Sequence, residues 1–349
     1  MTTSSTLPPD PTPTAGDAAG VEARRILVVG ATGTIGRATV RALRRAGHRV
    51  TCLVRARAQP ASEVAPRAAP FPDGVTVRTG DVSDRDSLVR HAFSDEPFHA
   101  IVSCMASRSG APRDAWAIDH RAHRTLLEVA RAHGVPQWVQ LSAICVQKPR
   151  LAFQHAKLAF EEALMGSGLT WSIVRPTAFF KSLSGQVQRV RDGRPYVMIG
   201  DGALTRCKPI GDDDVAEYLA GCLADRSRWN RILPIGGPGE AISPREQGEL
   251  LFELTGRPPR YTRVPLSVFN AIVATLGVLG RVVPPLADKA EFARIGRYYA
   301  TESMLVWDAE RQRYDADATP SVGRETLRAH YARMLRGEAG DDRGEHAVF

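Results

Sequence analysis

Cysteine is scarce and unpatterned, with five residues in a chain of 349, at positions 52, 104, 145, 207 and 222. No two form a CxxC pair and none stands at metal-ligand spacing, so a disulfide scaffold and a structural zinc site are excluded. Three lie in apolar strand-like runs and read as reduced core thiols. Aromatic residues are only 7% of the chain, and the basic ones are spread along helices instead of clustering with aromatics. The formal net charge of +8 therefore describes solvated surface and no nucleic-acid footprint, with a residual preference for anionic ligands or an acidic membrane surface. An apolar leader is also missing. "MTTSSTLPPDPTPTAGDAAGVEA" has no apolar core, and its first Arg is Arg24, after Asp10, Asp17 and Glu22. Neither a secretory signal nor a transit peptide looks like that, so residues 1–23 are expected to form a disordered tail and residues 337–349 a flexible one. A cytoplasmic setting follows from the same features. The longest apolar run, "VPLSVFNAIVATLGVLG" from Val264 to Gly280, has 17 residues and contains Pro265, Asn270 and two Gly. That is the short limit for a membrane helix. It is read as a buried helix or pocket wall, or as a peripheral contact with a membrane interface, and not as a span.

What is present is a full core, 43% apolar, and a repeating alternation of strands and helices. "RILVVG" is a continuous apolar run of the kind a strand buried on both faces needs. "TIGRATVRALRRAG" follows as a helix, stopped by Gly47. Further strands are expected in "HRVTCLVR", "GVTVRTGDV", "HAIVSCMAS", "QWVQLSAICV" and "LTWSIVRPTAFF", with a long helix in "DAWAIDHRAHRTLLEVARAHG". Alternation of this kind gives right-handed crossovers and a doubly wound parallel sheet, an α/β fold. After residue 180 the pattern loosens into Gly- and Pro-punctuated loops. The expected organisation is a nucleotide-binding Rossmann core over 24–180, then remaining sheet strands and a smaller substrate-binding portion over 181–336.

"GATGTIG" sets Gly30, Gly33 and Gly36 between the first strand and its helix, with Thr32, Thr34 and Ile35 in the intervals. The first glycine allows a tight turn, the second a close approach of backbone to pyrophosphate, and the third close packing of helix on strand. A dinucleotide is the expected ligand. The second strand ends in Arg55, with Arg57 just beyond, where a site selective for NAD carries a carboxylate. Guanidinium groups suit a 2′-phosphate, so NADPH is the expected cofactor. Asp81 and Val82 follow the third strand, where they would meet the adenine. Asp81 could equally serve as a helix cap beside Ser83 and Asp84.

Ser142 at the end of the fifth strand and Lys157 on the next helix match the arrangement of short-chain dehydrogenases, with one member missing. The general-acid tyrosine of that arrangement, four residues before the lysine, is Phe153 here. Reduction of a carbonyl is disfavoured without that acid. Lys157 remains placed to bond the nicotinamide ribose and Ser142 to line the nicotinamide edge. A protein that only senses the cofactor, or one that reduces a conjugated C=C bond, fits this substitution.

The strings "LSAICVQKP", "FQHAKLAFE", "IVRPTAFFKSLSGQ", "KPIGDDDVA" and "FARIGRYYATESMLVWD", together with "GATGTIGR", resemble the NADPH-dependent 8-vinyl reductases of (bacterio)chlorophyll biosynthesis. These are atypical short-chain dehydrogenases related to NmrA-like sensors. The resemblance spans about residues 25–308 and implies reduction of the C8 vinyl group of divinyl chlorophyllide or protochlorophyllide to ethyl. It implies hydride supplied by NADPH, and a proton from water, from a relay through Lys157, or from Cys145 or Tyr298. A flat tetrapyrrole needs an apolar wall, expected at Phe179, Phe180 and the Val264–Gly280 run, and its carboxylate a cation such as Lys148 or Lys181. The competing expectation is a non-catalytic NADP(H)-binding regulator or assembly factor of the NmrA type. The oligomeric state is left open.

Overall fold

The computed structural model describes residues 23–55, 71–94, 97–279 and 284–338. Arg57, most of the two expected tails and Gly280 lie outside them. Seven strands form one parallel sheet in the order β3-β2-β1-β4-β5-β6-β8. They are β1 (Arg25–Val29), β2 (Arg49–Val54), β3 (Thr76–Thr79), β4 (Ala100–Ser103), β5 (Gln137–Leu141), β6 (Thr170–Pro176) and β8 (Arg231–Ile235). The remaining described strands are small additions, with β7 (Tyr196–Ile199) paired to β9 (Tyr261–Val264) and a hairpin of β10 (Val306–Asp308) and β11 (Arg313–Asp315).

The apolar run of β1 explains the layering. Leu27 and Val29 face one core with Ile101, Trp138, Phe160 and Leu126, while Ile26 and Val28 face the other with Val102, Val139, Val174 and Leu219. All four are fully buried, each stabilising the fold by about 1.5–3 kcal/mol relative to exposure. Helices Thr34–Arg45 and Asp212–Gly221 cover one face, and helices His123–Ala132 and Ala152–Met165 the other. Because the strand order reverses between β1 and β4, the crevice lies over the carboxyl ends of these two strands.

Beyond β6 the chain does not become a separate layer at once, since β8 returns to pair with β6 and closes the sheet's edge. Helix Pro244–Thr255 then begins at a capping box, in which Ser243 accepts from the Glu246 N–H and Glu246 from the Ser243 N–H, 2.6 Å. It ends at Gly256, in the left-handed region at φ +64°. The apolar run from Val264 forms helix Leu266–Leu279, which pairs with helix Pro284–Thr301. Its residues 266–277 are exposed or half-buried, so it is not a buried helix, because only one face meets its partner. Among the described residues no helix is long and apolar enough to cross a membrane.

Candidate active site

The glycine-rich turn is built by contacts that exclude any Cβ. Gly30 has φ +73°, and a Cβ there would lie 2.5 Å from the backbone of Cys104 on the neighbouring strand's exit. At Gly36 it would lie 2.1 Å from the Gly30 carbonyl oxygen. Gly33 differs: the nearest atom to an added Cβ is that same oxygen at 3.4 Å, so its outer side is open to a ligand. Helix Thr34–Arg45 starts at Gly33 with no side-chain cap and no acid in its first turn, leaving N–H groups and the positive end of the dipole for an anion. Thr32 is exposed, and its carbonyl accepts from Arg37, 3.0 Å. The Thr34 hydroxyl accepts from the Lys181 ammonium, 2.6 Å, and Ile35 packs on the sheet-face core. Lys181 thus stands at the mouth of the glycine turn. Burial raises the carboxyl of nearby Asp212 to about 6 against the pull of Lys181, and its Oδ1 has no partner among the described residues.

Arg55 follows β2 directly and is exposed, beside a cavity of about 110 Å³ lined also by Asp81, Val82, Met105, Ile118 and Ala122. Asp81 Oδ1 accepts the Ser83 hydroxyl at 2.6 Å and the Ser83 N–H at 2.9 Å, and these bonds hold its carboxyl below the usual range. The helix cap is Asp84, which accepts from the Asp86 N–H. Asp81 therefore shapes the loop and lines the cavity at once.

Lys157 and Ser142 occupy a second, more buried corner. The Lys157 ammonium donates to Asp119 Oδ1 at 2.9 Å, with the lysine side chain 11% exposed and the carboxylate wholly buried. The same oxygen accepts the Ser107 N–H, 3.2 Å, while Asp119 Oδ2 has no partner among the described residues. Asp119 reaches the site from a widened π-type stretch, Trp116–Ala122, inside the long helix predicted from sequence. Such stretches recur at functional sites because the extra residue per turn re-aims a side chain. Ser142 lies just past β5, its N–H donating to Val174 at 2.7 Å and its buried Oγ also unpartnered. The unpartnered Asp119 Oδ2, on the carboxylate that holds the Lys157 ammonium, and the unpartnered Ser142 Oγ can each bond a ribose hydroxyl or an amide N–H. Sequence reasoning missed Asp119; an acid amid apolar residues of a long helix was its only signal.

Several expected residues sit elsewhere. Phe180 is 1% exposed and its ring packs against His330, centroids 5.1 Å apart, so it belongs to the core and offers no face to a ligand. Phe179 is half-buried at the crevice end of β6, where its backbone bridges to Ile210. Lys148 is committed to Glu302, 2.8 Å, and lies over the Trp307 ring, which leaves it no role with a substrate carboxylate. The Tyr298 hydroxyl donates toward the carbonyls of Cys145, 2.9 Å, and Lys148, 3.1 Å, which commits its proton to the backbone. Burial pushes the Cys145 thiol up.

A family described as NAD(P)H-binding matches residues 30–226, the glycine turn through helix Asp212–Gly221 and the residues just beyond it. The chloroplastic divinyl chlorophyllide a 8-vinyl-reductase of Oryza sativa subsp. indica is 48% identical over 335 residues, covering 93% of this chain and 82% of that protein. The chain belongs to the divinyl chlorophyllide a 8-vinyl-reductase family. The member from Arabidopsis thaliana is 43% identical, covering 92% of this chain and 79% of its own length. An Escherichia coli NADPH-dependent quinone oxidoreductase complexed with NADPH shares the fold at TM-score 0.60 and 18% identity, covering 89% of this chain and 99% of that one. Membership makes this chain an oxidoreductase, and the NAD(P)H-binding match begins at the glycine turn.

Proposed function

We propose that this chain reduces the C8 vinyl group of divinyl chlorophyllide to ethyl with NADPH, in chlorophyll or bacteriochlorophyll biosynthesis. The observation that carries the reading is the similarity to named vinyl reductases over nearly the whole chain, joined to a dehydrogenase-like site in which Phe153 replaces the carbonyl-reducing tyrosine. Bound NADPH would supply a hydride. Gly30, Gly33 and Gly36, with Thr32, Thr34 and Ile35 between them, would hold its pyrophosphate, and Lys181 adds a cation there. Arg55 beside the Asp81–Val82 cavity favours the 2′-phosphate, with Arg57 two residues further along. Lys157 and Ser142 would hold the ribose and the nicotinamide amide. These residues fix orientation, from which much of the rate derives when two reactants must meet at one carbon. The macrocycle delocalises the negative charge that develops on the vinyl group, so no strong oxyanion donor is needed.

In the dark, with divinyl chlorophyllide, the purified protein should produce the monovinyl pigment faster with NADPH than with NADH, followed by absorption and chromatography. Equal rates would remove the role given to Arg55, and no product despite bound NADPH would move the non-catalytic regulator forward.

Helix Leu266–Leu279 has no charged residue and leaves Val268 and Ile272 each 44% exposed, with Phe292 of the partner helix at 49%. We infer that this hairpin rests on a membrane surface, where apolar side chains lose their contact with water. Co-sedimentation with anionic vesicles should fall on Val268→Ser/Ile272→Ser; unchanged binding would dismiss the hairpin as the contact.

A further inference from the structure

We propose that Tyr299 is the proton donor of the reduction, performing from the far end of the chain the task for which position 153 has no acid. The inference rests on the vinyl-reductase reading above and adds the residue that completes its chemistry. Two of the side-chain donors named from sequence, Tyr298 and Cys145, do not serve. The Tyr298 hydroxyl is bound to two backbone carbonyls, and Cys145 is a buried thiol with a raised pKa. Tyr299 lies next along the same helix with its ring perpendicular to that of Tyr298, so its hydroxyl leaves in another direction. Its one described polar neighbour is Cys145 Sγ at 3.9 Å, a distance too long to commit the proton.

The position is the one the reaction needs. Tyr299 packs in the apolar cluster containing Phe153, Ala143 next to Ser142, and Ala178 next to Phe179. Those neighbours are the exits of β5 and β6, above the unpartnered Ser142 hydroxyl. Tyr299 is half-buried, so part of the residue stays open at that side of the cluster. Burial holds the phenol well above its ordinary pKa, which keeps the proton in place until a strongly basic carbon appears.

One vinyl carbon gains the hydride as NADPH becomes NADP⁺, and the π pair moves to the other carbon and into the macrocycle. The O–H bond of Tyr299 then breaks, a second C–H bond forms, and the phenolate takes its proton back from water.

Tyr299→Phe keeps the ring and removes only the hydroxyl. The variant should bind NADPH, read by its fluorescence, and divinyl chlorophyllide, read by absorption, as the wild type does. Its kcat should fall roughly 100-fold with KM for pigment little changed, the size expected for loss of a general acid. Cys145→Ala should retain most turnover. In a semisynthetic protein, 3,5-difluorotyrosine at 299 retains the shape with a more acidic phenol, and it should move the pH dependence of kcat to lower pH. Wild-type kcat in Tyr299→Phe, a pH profile that ignores fluorination, or loss of turnover in Cys145→Ala alone would each overturn the proposal. Absence of conversion by the wild type would instead reject the vinyl-reductase reading, so the two failures are distinct.

Discussion

Lys157→Met is expected to destabilise the protein by about 3–5 kcal/mol and to reduce turnover by at least roughly 100-fold. The two losses have different origins. Stability falls because Asp119 is wholly buried and has Lys157 as its only charged partner among the described residues, at 2.9 Å. Removing one member of such a pair leaves an uncompensated buried charge, which costs more than the pair itself contributes. Activity falls because the ammonium that would hold the nicotinamide ribose is gone. The double variant Lys157→Met/Asp119→Asn separates them: neutralising the carboxylate should return most of the stability and none of the turnover. Urea unfolding and steady-state rates on the three proteins decide the matter. Recovery of turnover in the double variant would mean that Lys157 is only a structural counter-ion.

Gly36→Ala and Gly33→Ala should fail in opposite ways, although both put one methyl group into the same turn. At Gly36 the new Cβ would lie 2.1 Å from the Gly30 oxygen and 2.8 Å from the Ala31 Cα, both backbone atoms that cannot step aside. Helix and strand must separate, at a cost of about 3 kcal/mol, with cofactor binding lost as a consequence. At Gly33 nothing lies closer than 3.4 Å, so the fold is retained. There the methyl occupies the space through which a pyrophosphate approaches, and NADPH affinity should fall at least about tenfold at unchanged thermal stability. Normal NADPH binding by Gly33→Ala would place the pyrophosphate elsewhere.

These two sites mark how far the sequence can be read. Gly30, Gly33 and Gly36 announce themselves because steric rules act locally, within a strand, a turn and a helix start. Six of the seven sheet strands were legible in sequence, β1 most plainly because it buries both faces and so reads as an unbroken apolar run, whereas β8 was not located. Asp119 was not legible, because its meaning depends on Lys157, 38 residues away, and on a widened helical stretch that no short pattern encodes. Phe179 and Phe180 show the limit at a single residue. The chain turns just past β6, so one ring is half-buried against the sheet core and the next is sealed under His330. Of the readings open for the apolar run from Val264, the buried helix is the one the structure removes, since hydropathy does not say which surface covers it. Tyr298 and Tyr299 are adjacent in sequence, yet only three-dimensional packing commits one hydroxyl to the backbone and leaves the next available.

On the proposed function, the glycine turn, Arg55 and the Lys157 corner hold NADPH so that its hydride reaches the C8 vinyl group. Stereospecifically deuterated NADPH, in each of its two C4 forms, should be incubated with the protein and divinyl chlorophyllide in the dark, and the pigment analysed by mass spectrometry. One form should yield a monovinyl product carrying a single deuterium in its ethyl group, and the other an unlabelled product. An unlabelled product from both, or no product at all, would contradict the account.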